Sequence, residues 1–209
     1  GKIMHVEVNH PCIQHKLAEL RSVDQPISKF RELISEITQL LSYKALENLD
    51  LVELEVQTPI AKATCKKIRG EIIVIPILRA GLGMLDGVLS IMPSSRVGFL
   101  GMFRDEKTAT PQSYYENIPD IPENGLHLII DPMLATGGST IAAIDALKKK
   151  QIKDIVVMCI VSCPEGIAAV ESRHPDVMIY TASIDSHLNE NNYIVPGLGD
   201  AGDRLFGTD

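Results

Sequence analysis

From residue 71 onward, short apolar runs rich in Ile and Val alternate with segments of helical period, and few architectures absorb that pattern. The runs are IIVIPIL (72–78), VGFLGMF (97–103), LHLII (126–130), IVVMCIV (155–161) and VMIYTA (177–182). Helical patterns fill about 82–91, 138–150 and 164–173 between most of them. A strand that is apolar on both faces must be covered on both faces. The alternation therefore predicts an α/β fold with a parallel sheet flanked by helices. Pro76 is awkward, because a central strand has no place for a missing N–H. It marks an irregularity near the strand end.

Before the sheet, Phe30, Leu33, Ile34, Ile37, Leu40 and Leu41 recur at spacings of three and four over 28–46. That is an amphipathic helix, with Ser28 as its N-cap. LVELEV (51–56) alternates like a half-exposed strand. Residues 103–126 break the pattern: Pro111, Pro119, Pro122, many polar residues and the adjacent Tyr114 and Tyr115 leave no helical period. A long excursion of this kind reads as a functional lid or else as a disordered segment. The tail from 186 is Gly-rich and also without period.

The 209 residues, 45% of them hydrophobic, suit one domain (1–209) with one sizeable core. It divides into an N-terminal helical segment (1–50), a core (about 51–185) and a closing segment (about 186–209), with the arm (about 104–124) inserted in the core. No run of eighteen apolar residues occurs, so neither a transmembrane helix nor a membrane partner is expected. Cys12, Cys65, Cys159 and Cys163 form no CxxC pair and no disulfide framework. Cys159 and Cys163 fall in or beside an apolar strand and read as reduced core thiols, which points to the cytoplasm. His5, His10 and His15 recur every five residues, a spacing that fits no metal motif, so no protein metal ligands are expected there. The net charge of -7 argues against a nucleic-acid partner. An acidic chain that binds a polyanion needs a local answer: backbone N–H groups, a few arginines and a divalent cation.

Residues 128–150, LIIDPMLATGGSTIAAIDALKKK, supply that answer. An apolar strand runs into an acid, then a loop of small residues from Ala135 to Thr140, then an amphipathic helix. Such a loop lets backbone N–H groups converge on one point, where the helix N-terminus adds partial positive charge. Plain helix capping would not call for Asp131 at the strand's carboxyl end, where ligands of open α/β sheets bind. No GxxxxGK[ST] occurs, so this is not a P-loop. RAGLGMLDG (79–87) is one residue out of register for a dinucleotide fingerprint. It reads as a second anion loop, with Arg79 and backbone N–H groups facing a neighbouring strand end.

IIDPMLATGGST resembles the motif by which type I phosphoribosyltransferases bind phosphoribosyl pyrophosphate (PRPP), and its Asp-Pro opening matches the uracil-specific branch. PILRAGLGM (76–84), GMFRDEKT (101–108), YIVPGLGDAGDRLFGT (193–208) and the amino-terminal HPCIQHKL and FRELISE agree with it. The resemblance implies transfer of the phosphoribosyl group from PRPP to N1 of uracil, giving UMP and pyrophosphate. It implies that Arg79 and Arg104 contact the pyrophosphate, that Asp131 faces the ribose, and that Pro132, Met133, Leu134, Ala135, Thr136, Gly137, Gly138 and Ser139 wrap the 5'-phosphate. Asp131 and Arg104 are the implied catalytic residues. It implies too that Ile194, Gly199, Asp200 and Ala201 bind uracil in a small hood, with Asp200 also near PRPP. A flexible arm, magnesium held mainly through PRPP, a homodimer or a multiple of dimers, and in some members a GTP or CTP effector complete the expectation. The competing readings are transfer to another base, and a PRPP-sensing regulator that binds RNA. The second would need a basic face, and the basic residues here are dispersed.

Overall fold

The structure is a computed structural model that describes residues 2–104, 111–120 and 125–209, with the side chain of Arg104 outside that set. In chain order the elements are β1 (His5–Glu7), α1 (Pro11–Arg21), α2 (Ile27–Ala45), β2 (Leu51–Gln57), β3 (Lys62–Ile68), β4 (Ile72–Leu78), α3 (Leu82–Ile91), β5 (Arg96–Val97), β6 (Phe99–Arg104), β7 (Pro111–Asn117), β8 (Leu126–Ile130), β9 (Met133–Leu134), α4 (Gly138–Lys149), β10 (Ile155–Ser162), α5 (Pro164–Arg173), β11 (Met178–Ile184), β12 (His187–Leu188), β13 (Ile194–Val195) and α6 (Ala201–Phe206). The main sheet runs β1-β11-β10-β8-β4-β6-β7, and β6 with β7 is the antiparallel pair on that path.

Alternate residues of the central strands feed two cores. Val74, Leu128, Ile130, Met158 and Ile160 face α1, α2, α3 and α6, whereas Ile73, Ile75, Ile129, Val157 and Ile179 face α4 and α5. Cys159 and Cys163 are free and buried, as the apolar strand implies. Pro76 has a physical account. On the side away from β8, β4 pairs with β5 at Ile73 and Val74 and with β6 at Ile77 and Leu78. The gap between those ladders spans Pro76, which tolerates a residue without an N–H.

Two expectations are corrected. Helix α2 starts at Ile27 with Pro26 in the cap position, so Ser28 lies in the first turn and caps nothing. The arm is not wholly irregular: 111–117 is strand β7, paired with β6 from Phe99↔Asn117 to Arg104↔Pro111. The rest of the proposed lid, 105–110 and 121–124, lies outside the described residues. The tail, read as without period, holds the short helix α6 behind an Asp200 cap whose side chain accepts the Asp203 N–H at 2.9 Å.

His127 in β8 is fully buried, and both its ring nitrogens lack a partner among the described residues. Burial pushes its pKa down to about 4, with Asp154 pulling weakly the other way. Between pH 4 and 6.5 the unfolded chain therefore binds more protons than the folded one, and this residue's contribution to stability falls as pH falls through that window. Replacing His127 with Leu should remove that loss. Urea titrations of both chains at pH 7.5 and pH 4.5 check it, since the variant should gain on the native chain by one to a few kcal/mol on acidification, of order 1.4 kcal/mol per pH unit. A constant gap between the two would contradict the assignment.

Candidate active site

The sheet order decides where a ligand can sit. After β4 the chain crosses to β6 on one side, and after β8 it crosses to β10 on the other. The carboxyl ends of β4 and β8 thus flank a topological switch point, where the two departing loops part and leave a crevice. Ala80 follows β4 and Asp131 follows β8, so both stand at that crevice.

Two clefts meet there. One, of about 150 Å³, is lined by Asp131, Met133, Leu134, Ala135, Thr136, Gly137, Gly138, Ser139 and Thr140. Gly137 holds φ +89° at the start of α4, a left-handed conformation that favours glycine, and Gly138 N–H folds back onto Thr136 Oγ1 at 3.3 Å. The first N–H groups of α4 have no acceptor within the helix, so this end of the helix presents donors to the cleft. Lys148, in the last turn, is held by Asp176 at 2.8 Å.

The second cleft, of about 240 Å³, is lined by Ala80, Asp131, Met133, Ala135, Asn192, Tyr193, Ile194, Gly199, Asp200, Ala201 and Gly202. Residues 133–139 and 194–201, read separately from the sequence, are brought together here. Asp131, Met133 and Ala135 belong to both clefts. The half-buried Asp131 carboxyl is pushed up to about 7 by desolvation, opposed only by the Met133 N–H at 3.4 Å. Ala201 is buried as the first residue of α6, and among the described residues its N–H has no acceptor.

Not every expected residue lines a cleft. Pro132 is buried, and its carbonyl accepts the Ile160 and Val161 N–H groups at 3.0 Å, so it shapes the turn into the loop. Leu134 contributes backbone, since its side chain is in the core behind. Arg79 stands at the rim, 55% exposed, with Nη2 3.7 Å from Asp203 and its guanidinium 5.6 Å from the Phe206 ring centre. An exposed pair of that length holds it weakly, which leaves the cation free to meet an anion. Four backbone N–H groups of the second anion loop are used within the loop and the end of β4, and the Ala80 N–H is not one of them. The N–H groups of Gly81, Leu82, Gly83 and Met84 already bond the carbonyls of Ile77, Arg79, Ala80 and Gly81. The glycines there serve packing: a Cβ on Gly81 would stand 2.6 Å from Ile130 O, and one on Gly87 2.7 Å from Ser35 O. Ala80, Asn192, Tyr193 and Gly202 line the cleft and are not among the residues expected from the sequence. Asn192 carried no local signal, because it reaches the cleft through a turn with φ +65°.

A parallel sheet with an acid and a loop of small residues at its switch point has the architecture of a type I phosphoribosyltransferase. The family model for uracil phosphoribosyltransferase matches residues 7–208, and the chain belongs to that family. A protein of Ligilactobacillus salivarius named uracil phosphoribosyltransferase is 52% identical over 202 residues, covering 96% of this chain and 97% of that one. One of the same name from Geobacillus kaustophilus is 52% identical over 201 residues, with 96% of each chain covered. Among solved structures, the AQ2163 protein of Aquifex aeolicus is 38% identical, with a TM-score of 0.92 over 97% of this chain and 98% of that one.

Proposed function

We propose that the joined clefts carry out transfer of the phosphoribosyl group of PRPP to N1 of uracil, giving UMP and pyrophosphate. The observation that carries this reading is the shared wall: Asp131 stands between the phosphate loop and the hood, where a ribose would join phosphate to base. The 5'-phosphate lies in the loop from Ala135 to Ser139, the pyrophosphate toward Arg79 and Arg104, and uracil against Ile194 and the Gly199–Ala201 edge. As the bond from the anomeric carbon to the pyrophosphate oxygen breaks, its electron pair leaves with pyrophosphate. N1 of uracil bonds the same carbon, and its proton passes to the departing pyrophosphate or to solvent. Positive charge develops on the ribose, and the ionised form of the Asp131 carboxyl would stabilise it electrostatically.

Magnesium fits as an ion carried mainly by the oxygens of PRPP. Asp131 and Asp200 are the carboxylates that line the base cleft, and among the described residues no group of three His, Cys, Asp or Glu can hold a metal. Bound in that way it would neutralise charge on the departing pyrophosphate. A homodimer is supported by the β2–β3 hairpin, whose residues are half or fully exposed on both faces, with Leu51, Val56 and Ile60 open to solvent. A lone two-stranded hairpin is marginal in water, so a second copy is its natural cover. Four free thiols agree with a cytoplasmic setting.

Ala201→Pro tests the base site. Asp200 has extended backbone (φ -96°, ψ 109°), which suits a residue before proline, and the first position of a helix accepts proline. The substitution therefore deletes one N–H without breaking α6. The KM for uracil should rise by roughly tenfold or more while the KM for PRPP stays within about twofold, as expected when a buried partner group is left unpaired. Equal uracil KM values in the native chain and a folded variant would remove Ala201 from base recognition.

A further inference from the structure

Arg21 closes α1 and Asp185 follows β11, and the two form a bidentate pair: Nη1 donates to Oδ2 at 2.7 Å and Nη2 to Oδ1 at 2.8 Å. The carboxylate is 3% exposed and the guanidinium 25%. Burial pushes the Asp185 carboxyl up, but hydrogen bonds from Arg21, Ser183 and Gly197 outweigh it and hold the group below its ordinary range. A buried ion pair is by itself weak evidence for stability. What this pair grips is more telling. Gly197 N–H donates to Asp185 Oδ2 at 2.9 Å, and Gly197 C=O accepts from Arg21 Nη1 at 2.9 Å. Both polar groups of one glycine are held by one ion pair.

Gly197 lies between the two stretches that line the base cleft, Asn192–Ile194 before it and Gly199–Gly202 after it. Upstream, β12 pairs with β13 and Ser186 N–H donates to Val195 O at 2.9 Å, so the Asp185 carboxylate closes the mouth of a hairpin loop. Gly197 holds φ +58°, and a Cβ there would overlap the Ile194 carbonyl. Downstream, Arg204 Nη1 donates to Leu198 O at 2.9 Å and Nη2 to Ser22 O at 2.6 Å, tying the residue after Gly197 to the residue after Arg21.

We infer that the Arg21–Asp185 pair is a positioning element for base binding. It fixes the Gly197 backbone and so sets where Ile194 and the Gly199–Ala201 edge stand. This rests on reading that cleft as the uracil site. A planar fork can hold both carboxylate oxygens and a carbonyl at once, whereas an ammonium supplies the charge without the fork.

The test uses Arg21→Lys and Asp185→Asn in the full chain, with steady-state kinetics and amide hydrogen exchange. Arg21→Lys should raise the KM for uracil by roughly tenfold or more, leave that for PRPP within about twofold, and speed exchange across 186–202 while residues 131–140 keep their protection. Asp185→Asn should act in the same direction more strongly, and if it fails to fold, the lysine variant decides. Unchanged exchange across 186–202 would overturn the positioning role, as would a rise in both KM values by the same factor. A native chain that gives no product from uracil would instead overturn the reading of the cleft, and the inference with it.

Discussion

Asp131→Asn should cut turnover by roughly two orders of magnitude or more while making the folded protein more stable above pH 7. The two effects share one cause. The carboxyl sits where both clefts meet, half-buried and with one long hydrogen bond from Met133, and its pKa is pushed up to about 7 from 3.8. Between those values the folded chain binds more protons than the unfolded one, so this group's contribution to stability falls as pH rises through the window. Above pH 7 the ionised carboxylate destabilises the empty enzyme by a few kcal/mol at most, taking about 1.4 kcal/mol per pKa unit as the ceiling. Asparagine keeps the shape and removes the charge. The variant's stability advantage should be largest near pH 8 and shrink toward pH 4, a trade of stability for function at one residue. Urea titrations at both pH values and single-turnover rates at saturating substrates check the two halves. Near-normal turnover would remove Asp131 from the chemistry. A stability gap independent of pH would contradict the burial account.

Gly138→Val should raise the KM for PRPP by roughly one to two orders of magnitude, because it strikes the phosphate loop from two sides. Valine restricts the backbone at the first residue of α4, and a Cβ there would stand 2.7 Å from Pro111 Cγ, the first residue of β7. The loop and the root of the arm are therefore packed against each other. Gly137→Val should add a loss of stability, because φ is +89° there and a Cβ would stand 3.0 Å from Gly166 O on α5. Melting temperature separates the two variants: Gly138→Val should melt closer to the native chain. An unchanged KM in a folded Gly138→Val chain would take the phosphate out of this loop.

The central strands and helices were legible because their burial is dictated locally. Residues 72–78, 82–91, 126–130 and 164–173 match β4, α3, β8 and α5 end to end, since continuous apolar runs and helical stripes need no knowledge of the partner. Strand β7 was not legible. Its side chains are mostly exposed, and it is held by pairing with β6 and by contact of the Tyr114 ring with Phe103, 6.1 Å between centres. Helix α6 is too short for a period, although the aspartates at 200 and 203 were a usable cap signal. The cleft along 133–140 could be read because its lining is contiguous. The base cleft drew Ala80 from one strand end and Asn192 from a left-handed turn, and the clamp joins Arg21 to Asp185 across 164 residues. Those are products of tertiary structure alone. Shortening the arm between Asp105 and Pro119 would remove β7 and bare the β6 edge, so it cannot serve as a clean deletion of a lid.

Pyrophosphate release from PRPP, measured with uracil and with cytosine as acceptor, tests the account most directly. Uracil offers acceptor, donor and acceptor along O2, N3–H and O4, and a cleft edge made mostly of backbone groups can match that row. Cytosine carries an amino group at position 4 and no proton on N3, so a fixed N–H would face a donor and a buried group would be left unpaired. The account predicts kcat/KM for uracil at least a hundredfold above that for cytosine, roughly 2.7 kcal/mol or more. Discrimination below about tenfold, roughly 1.4 kcal/mol, would contradict backbone reading of the base at the Gly199–Ala201 edge.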